Sequence, residues 1–338
     1  MNNSAAFLKK LGHEVDPIIL ADLVERISAV ETELTSSVRS QVHLVQSVAE
    51  LTLGGGGKRL RPALVILSAL ACDPAAPSNR LRMLATAVEL VHMATLVHDD
   101  VIDDAATRRG KPTAFSVYGN TASILGGDVM LAKAMAILAE DGDLPIIRTV
   151  SQSVVELAEG EVKELAARGK IDLTVEEHLS VLRMKTAGFL ECCCRVGAMS
   201  ANANKETLEA IAAYGHHLGM AFQIADDILD FQGDQAKTGK PCATDFRDGQ
   251  ATLPLLHAMP AFGEDQRQFT TEKFGNGVSE SEIAQIIQWM TDEGSFTHAS
   301  NLASEHVERA LSALEKLPDS AHKTLLASVA KMVVGRES

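Results

Sequence analysis

Residues 84–104 read LATAVELVHMATLVHDDVIDD, and residues 220–230 read MAFQIADDILD. Each is an apolar helical run that ends in the pattern DDxxD. On an α-helix, residues four apart share a face, so Asp99 lies over Asp103 and Asp226 over Asp230. Stacked carboxylates repel one another, and a helix C-terminus already carries the negative end of its dipole. Local stability therefore does not account for two such clusters, whereas a bound cation does. Carboxylate oxygens suit Mg²⁺, which prefers octahedral oxygen ligands and shares them with substrate phosphates. A solvated acidic helix end explains one cluster alone, but not the repetition of the pattern in one chain.

Around these clusters the apolar spacing is helical. Residues 17–50 carry Ile18, Leu20, Leu23, Ile27, Val30 and Leu34 at steps of three and four. Further helices are expected over 62–72, 79–104, 120–140, 144–168, 174–201, 204–232, 279–293 and 303–316, and alternating strand patterns are hard to find. Short punctuated loops at 73–78, 141–145 and 233–250 and the lack of a fixed repeat favour one all-α helical bundle over two independent domains, with a single domain across 1–338.

The charge balance narrows the partners. The chain has 31 Lys and Arg against 45 Asp and Glu, a formal net charge of −14, which speaks against a general nucleic-acid binder. No basic amphipathic helix suggests membrane binding, and no apolar stretch of about 18 residues predicts a transmembrane segment. The N-terminus, MNNSAAFLKKLGHEVDPIIL, lacks the apolar core and cleavage site of a secretion signal. Cys72, Cys192, Cys193, Cys194 and Cys242 have no zinc-site spacing and read as small buried thiols of a reducing cytoplasm.

Basic residues alternate with the acidic clusters. Gly54-Gly55-Gly56-Gly57-Lys58-Arg59-Leu60-Arg61-Pro62 is a glycine-rich turn leading into a helix that Pro62 can open. Its amides and three cations resemble a phosphate cradle, although the Walker A pattern is absent. Arg108-Arg109 follow the first cluster, and Lys185-Thr186 and Lys240 are further candidates.

The ordered set GGKRLRP, HDDVIDDAATRRGKPT, GGDVMLAKA, KTAGF, AFQIADDILDF, GKPCATDF and TLPLL, spanning about 54–256, resembles the trans-type polyprenyl diphosphate synthases. The resemblance implies a bundle of the isoprenoid synthase type with a central active-site cavity. It also implies Mg²⁺-dependent addition of isopentenyl diphosphate to an allylic diphosphate. Asp99, Asp100 and Asp103 would hold two Mg²⁺ ions. Asp226, Asp227 and Asp230 would hold a third, with Asp226 the leading direct ligand. Arg108, Lys185 and Lys240 would bind the allylic diphosphate, and Thr186 and Gln223 would face the reacting carbons. Lys58, Arg61, His92 and Arg109 resemble the isopentenyl diphosphate site. His98 invites a base role, but a supporting hydrogen bond fits better. A homodimer is expected.

Helix 79–103 should line the product pocket. Ala94 and Thr95 are small where short-chain members often carry an aromatic floor, and Val91 lies further down. One turn is about 5.4 Å, comparable to an isoprene unit, so an open channel predicts a hexa- to decaprenyl product, as in quinone side-chain synthesis. Met130 or Met135 could form a deeper floor or belong to the core. The alternative is a short-chain farnesyl or geranylgeranyl diphosphate synthase. One position departs from the family: Gln250 stands where lysine is usual in GKxTLP. A neutral residue there also occurs in catalytic subunits of two-component synthases, so a partner subunit stays open. A terpene cyclase would not need the second DDxxD or GGKRLRP, and a regulatory subunit would have lost metal ligands that are all present here.

Overall fold

The computed structural model describes residues 16–233 and 242–334. Its chain forms two compact units: one within Met1–Val154, Cys192–Ala212 and Leu314–Val329, the other within Val155–Glu191, Ala213–Ala313 and Ala330–Ser338.

The first unit is built on helix α4 (Ser78–Ile102), preceded by α1 (Pro17–Ser37), α2 (His43–Gly54) and α3 (Leu60–Cys72) and followed by α5 (Ala114–Asp141). Asp16 caps α1 by accepting the Ile18 N–H at 2.9 Å, with Pro17 in the first turn. The expected helix over 17–50 breaks after Val38. There Ser40 Oγ accepts the Val42 N–H at 3.2 Å and the Ser40 N–H reaches Gln46 Oε1 at 3.1 Å, local bonds that compete with the helix. Leu84, Ala85, Ala87, Val88, Leu90, Val91, Ala94 and Val97 are all buried on α4. A helix apolar on nearly every side belongs at the centre of a core, and α1, α3 and α5 pack against it.

Two glycines let α5 close onto its neighbours. A β-carbon at Gly126 would overlap Val48 of α2, and one at Gly127 would overlap the His98 imidazole of α4. Gly119, with φ 78° and ψ 173°, interrupts the helix. By length and mean hydropathy, 1.6, α5 is long and apolar enough to cross a membrane, which the sequence reading did not anticipate. It packs along α2 and α4, and Lys133 Nζ donates to the Ser37 carbonyl at 2.6 Å. Val117, Tyr118, Ile124 and Leu125 remain exposed along it.

The second unit holds α7 (Val175–Leu182), a π-helical segment Arg183–Ala187, α10 (Thr244–Arg247), α11 (Leu253–Ala258), α12 (Glu264–Lys273) and α13 (Glu280–Asp292). Helices α6 (Leu144–Ala167), α8 (Gly188–Ser200), α9 (Lys205–Gln232), α14 (Ser295–Leu314) and α15 (Ala321–Val334) contribute residues to both units. The scarce aromatic residues concentrate in the second unit's core. Phe246 and Phe274 meet edge to face with ring centres 5.3 Å apart, and Phe231 meets Phe296 at 6.1 Å. Each such ring contributes about 2 kcal/mol by burial. The segment 174–201, expected as one helix, is interrupted by the π turn, closed by the Gly188 N–H donating to the Arg183 carbonyl. All five cysteines are unbridged, and Cys192, Cys193 and Cys194 are buried.

His217 of α9 and His306 of α14 face each other with their Nδ1 atoms 3.0 Å apart. Burial, then the neighbouring imidazoles and Arg309, push both down to about 4. In the unfolded chain these side chains take up protons near pH 6.5 that the folded protein refuses. Stability is therefore complete above that pH and declines as pH falls toward 4. Thermal melts from pH 7 to 4.5 will show this loss, and it will be smaller in a His306→Gln variant.

Candidate active site

The first acidic cluster closes α4. The Asp103 N–H donates to the Asp99 carbonyl at 2.9 Å, so the pair stands one helical turn apart. Asp100 turns inward. It is 5% exposed, and its Oδ1 accepts from Arg108 Nε at 2.7 Å. Burial raises the Asp100 carboxyl above its usual range, which Arg108 only partly offsets. The two residues assigned to metal and diphosphate thus pair with each other here.

Arg108 and Arg109 sit on a two-stranded ribbon, β1 (Thr107–Arg108) and β2 (Lys111–Pro112). Arg109 and Gly110 turn it with φ of 53° and 73°, as a tight hairpin requires. The ribbon fastens onto the glycine turn: Arg109 Nη1 donates to the Gly56 carbonyl, and Lys111 Nζ to the Gly54 carbonyl at 2.7 Å.

From that turn the chain enters α3 through Arg59, itself left-handed at φ 53°. Arg59 is buried, and its Nη1 donates to the buried Glu89 carboxylate at 2.8 Å. Within GGKRLRP, then, Arg59 anchors the turn, while Lys58 is exposed beside it. Arg61 Nη1 contacts His92 Nε2 at 3.1 Å. Burial, then the guanidinium groups of Arg61, Arg109, Arg108 and Arg59, hold the His92 imidazole well below its ordinary pKa. His92 is therefore neutral, with Nε2 accepting from Arg61. Burial also lowers the pKa of Arg61. Together these groups form a positive well suited to an anion. His98 Nε2 lies 3.2 Å from the Ile124 carbonyl and 3.4 Å from Asp128 Oδ1. Val91 and Ala94 are buried on α4, Met130 is buried on α5, and Thr95 and Met135 are half-buried.

In the second unit, Lys185 lies in the π segment between two carboxylates that the sequence reading did not single out. Its Nζ pairs with Glu161 at 2.7 Å and with Glu164. Burial would lower its pKa, but Glu164 and Glu161 outweigh that and raise it. Thr186 Oγ1 donates to Gln223 Oε1 at 2.9 Å. Of the second cluster, Asp226 is half-buried. Asp227 is buried, and its Oδ2 accepts from His178 Nε2 at 2.7 Å and from the Leu253 N–H at 3.4 Å. Asp230 accepts the Thr244 and Asp245 N–H groups, both at 3.1 Å, at the start of α10.

A cavity of about 110 Å³ is lined by Gln223, Asp227, Asp245, Gln250, Thr252 and Glu164, among others. Asp245, inside the GKPCATDF motif but not singled out from sequence, carries a carboxyl pushed well above its usual range. Burial comes first, then Asp230, Asp227, Glu164 and Asp248. Lys240 lies outside the described residues. Among the described residues no three carboxylate, imidazole or thiol groups form a ready metal cage. The two DDxxD sets are nonetheless all-carboxylate donors, which fit Mg²⁺ completed by phosphate oxygens.

The polyprenyl synthetase family model matches residues 42–290. The all-trans-nonaprenyl-diphosphate synthase (geranyl-diphosphate specific) of Rhodobacter capsulatus is 34% identical over 318 residues, 94% of this chain and 97% of that protein. Heptaprenyl diphosphate synthase component 2 of Geobacillus stearothermophilus is 32% identical over 315 residues, covering 93% and 97%. The crystal structure of a polyprenyl synthase from Caulobacter crescentus CB15, complexed with calcium and isoprenyl diphosphate, superposes with a TM-score of 0.89 at 31% identity, covering 96% of this chain and 99% of that one.

Because Arg59 and Glu89 are both buried, removing Arg59 takes the paired cation from a buried carboxylate. Arg59→Ala should cost about 3–5 kcal/mol in urea unfolding, and adding Glu89→Ala should recover part of it. An Arg59→Ala cost under about 1 kcal/mol would contradict the anchoring role.

Proposed function

Since the chain belongs to the polyprenyl synthetase family and is a prenyltransferase of the polyprenyl diphosphate synthase type, we propose that it adds isopentenyl diphosphate head to tail to an allylic primer and releases a hexa- to decaprenyl diphosphate. One observation carries this reading: two all-carboxylate DDxxD sets coexist with a cluster of four guanidinium groups around a neutral His92. That is the charge pattern a metal–diphosphate substrate needs.

In this proposal Asp99, Asp100 and Asp103 would hold two Mg²⁺ ions and the second cluster a third, with Asp226 foremost, Asp230 beside it, and Asp227, also expected as a ligand, engaged by His178. When bound, the metal neutralises the leaving diphosphate as charge develops on it. The family uses divalent ions; their identity and number here are part of the proposal. Arg108, Lys185 and Lys240 contact the allylic diphosphate, so Arg108 exchanges Asp100 for phosphate oxygens and Lys185 turns from Glu161 and Glu164. Thr186 and Gln223 place oxygen dipoles beside the allylic carbons. Lys58, Arg61, His92 and Arg109 hold isopentenyl diphosphate so that its double bond lies alongside the allylic cation. Neutral His92 contributes as a hydrogen-bonding group, and the proton leaves to the released diphosphate.

The long product is supported by small Ala94 and Thr95 on α4, where no aromatic ring closes the helix face. We propose a single synthase domain, supported by a family model that spans residues of both units. The unbridged cysteines support a cytoplasmic enzyme. The partner we favour is a second copy of the chain, and the exposed Val117, Tyr118, Ile124 and Leu125 of α5 offer it an apolar face. A heteromeric partner is a second reading, supported by Gln250 and by the relative named component 2.

The test is the purified chain with Mg²⁺, farnesyl diphosphate and labelled isopentenyl diphosphate. Hexa- to decaprenyl products are expected. A dominant geranylgeranyl product would overturn the long-chain reading, and no product from the chain alone would favour the heteromer. Asp99→Ala and Asp226→Ala should each lower kcat/KM by about a thousandfold or more.

A further inference from the structure

Three positions on α9, each four residues from the next, meet the stretch that carries Lys185 and Thr186. Gly219 leaves room for Ala187: a β-carbon there would overlap the Ala187 backbone. Gln223 Oε1 accepts from Thr186 Oγ1 at 2.9 Å. Asp227 Oδ2 accepts from His178 Nε2 at 2.7 Å. Residues 219, 223 and 227 lie on one face of α9, and their partners 187, 186 and 178 run in the opposite direction. The contacts are therefore rungs of one antiparallel seam.

The lowest rung differs from the others. His178 and Asp227 are both buried, with side chains 8% and 3% exposed. Asp227 also accepts the N–H of Leu253, the first residue of α11. His178 sits in the first turn of α7, behind a capping box in which Thr174 and Glu177 bond reciprocally. The rung thus fastens the start of α7, the aspartate face of α9 and the start of α11 at one point. Seven residues further on, about 10 Å along the helix, Lys185 emerges from the π segment. A π turn is a local irregularity whose register must be fixed by its surroundings. Of the two hydrogen-bonded rungs, Thr186–Gln223 lies at the site itself, only partly buried, and His178–Asp227 is the buried one.

We infer that His178 is a positioning residue. Through Asp227 it fixes the register of the Lys185–Thr186 segment against α9, and Asp227 serves as its anchor rather than as a metal ligand. The inference rests on the proposed prenyl transfer. Asp226, the preceding residue, points about 100° away around the helix, so the two carboxylates divide the work.

The test compares the full chain with His178→Phe, His178→Gln, Asp227→Asn and Asp226→Asn, using Mg²⁺, farnesyl diphosphate and isopentenyl diphosphate, with folding checked by circular dichroism. His178→Phe fills the space but donates no hydrogen bond. It should raise KM for the allylic diphosphate about tenfold and leave KM for isopentenyl diphosphate within about twofold. His178→Gln, which keeps an N–H donor of similar reach, should restore most of that loss. Asp227→Asn keeps an acceptor but makes a poor metal ligand, so its half-saturating Mg²⁺ concentration should stay within about twofold of the parent, against about tenfold or more for Asp226→Asn. Should His178→Phe not fold, the two asparagine variants decide. An active parent with unchanged kinetics in His178→Phe overturns the inference alone, as does a Mg²⁺ requirement in Asp227→Asn that matches Asp226→Asn. A parent without prenyl transfer overturns the proposal that the chain acts without another subunit, and the inference drawn on it.

Discussion

Desolvation, and after it the guanidinium groups of Arg61, Arg109, Arg108 and Arg59, keep the His92 imidazole uncharged, and this crowding of positive charge governs the rest of the chemistry. The second unit shows the opposite sign: burial first, then Asp230, Asp227, Glu164 and Asp248, make it harder for Asp245 to lose its proton. Two like charges 4 Å apart repel by about 4 kcal/mol at an effective dielectric of 20. A chain shaped for stability alone would disperse them. In the proposed reaction each excess has a use, the cations toward phosphate oxygens and the carboxylates toward divalent ions. Some of the crowding is relieved within the protein, as Arg59 does with Glu89 and Lys185 with Glu161.

The non-glycine residues with left-handed backbone tell a related story. Arg59, Asp104 and Arg109 adopt positive φ beside the first aspartate cluster, the hairpin and the glycine turn. A side chain in that region costs on the order of 1 kcal/mol, and such costs persist where surrounding contacts hold the backbone in place. Here those contacts are visible: the Glu89 carboxylate holds Arg59, and the Gly56 carbonyl holds Arg109. Backbone energy is spent on the direction in which the cations are presented.

The sequence was most legible where geometry is local. Helix spacing alone stacked Asp99 over Asp103, and the backbone bond between them agrees. The glycine turn and the helical content were readable for the same reason, although the helix expected to open at Pro62 begins at Leu60. What could not be read was which charged groups the protein keeps for itself. Asp226 and Asp227 are equivalent within the motif, yet His178, 49 positions away, engages Asp227. Arg59 looks like its neighbours until Glu89 is placed beside it. Glu161, Glu164 and Asp245 gain meaning only through tertiary packing. The hairpin at 107–112 escaped notice because Arg109-Gly110 replaces the usual Asn-Gly signal.

The π turn at Arg183–Ala187 carries a consequence for descent as well as for shape. Such a turn contains one residue more than the α-helical turn it replaces. Losing one of those five residues would remove the bulge and restore a regular helix with the flanking turns in nearly the same register. The helix can therefore absorb a one-residue deletion here, and what it would lose is the place from which Lys185 and Thr186 leave the regular spiral.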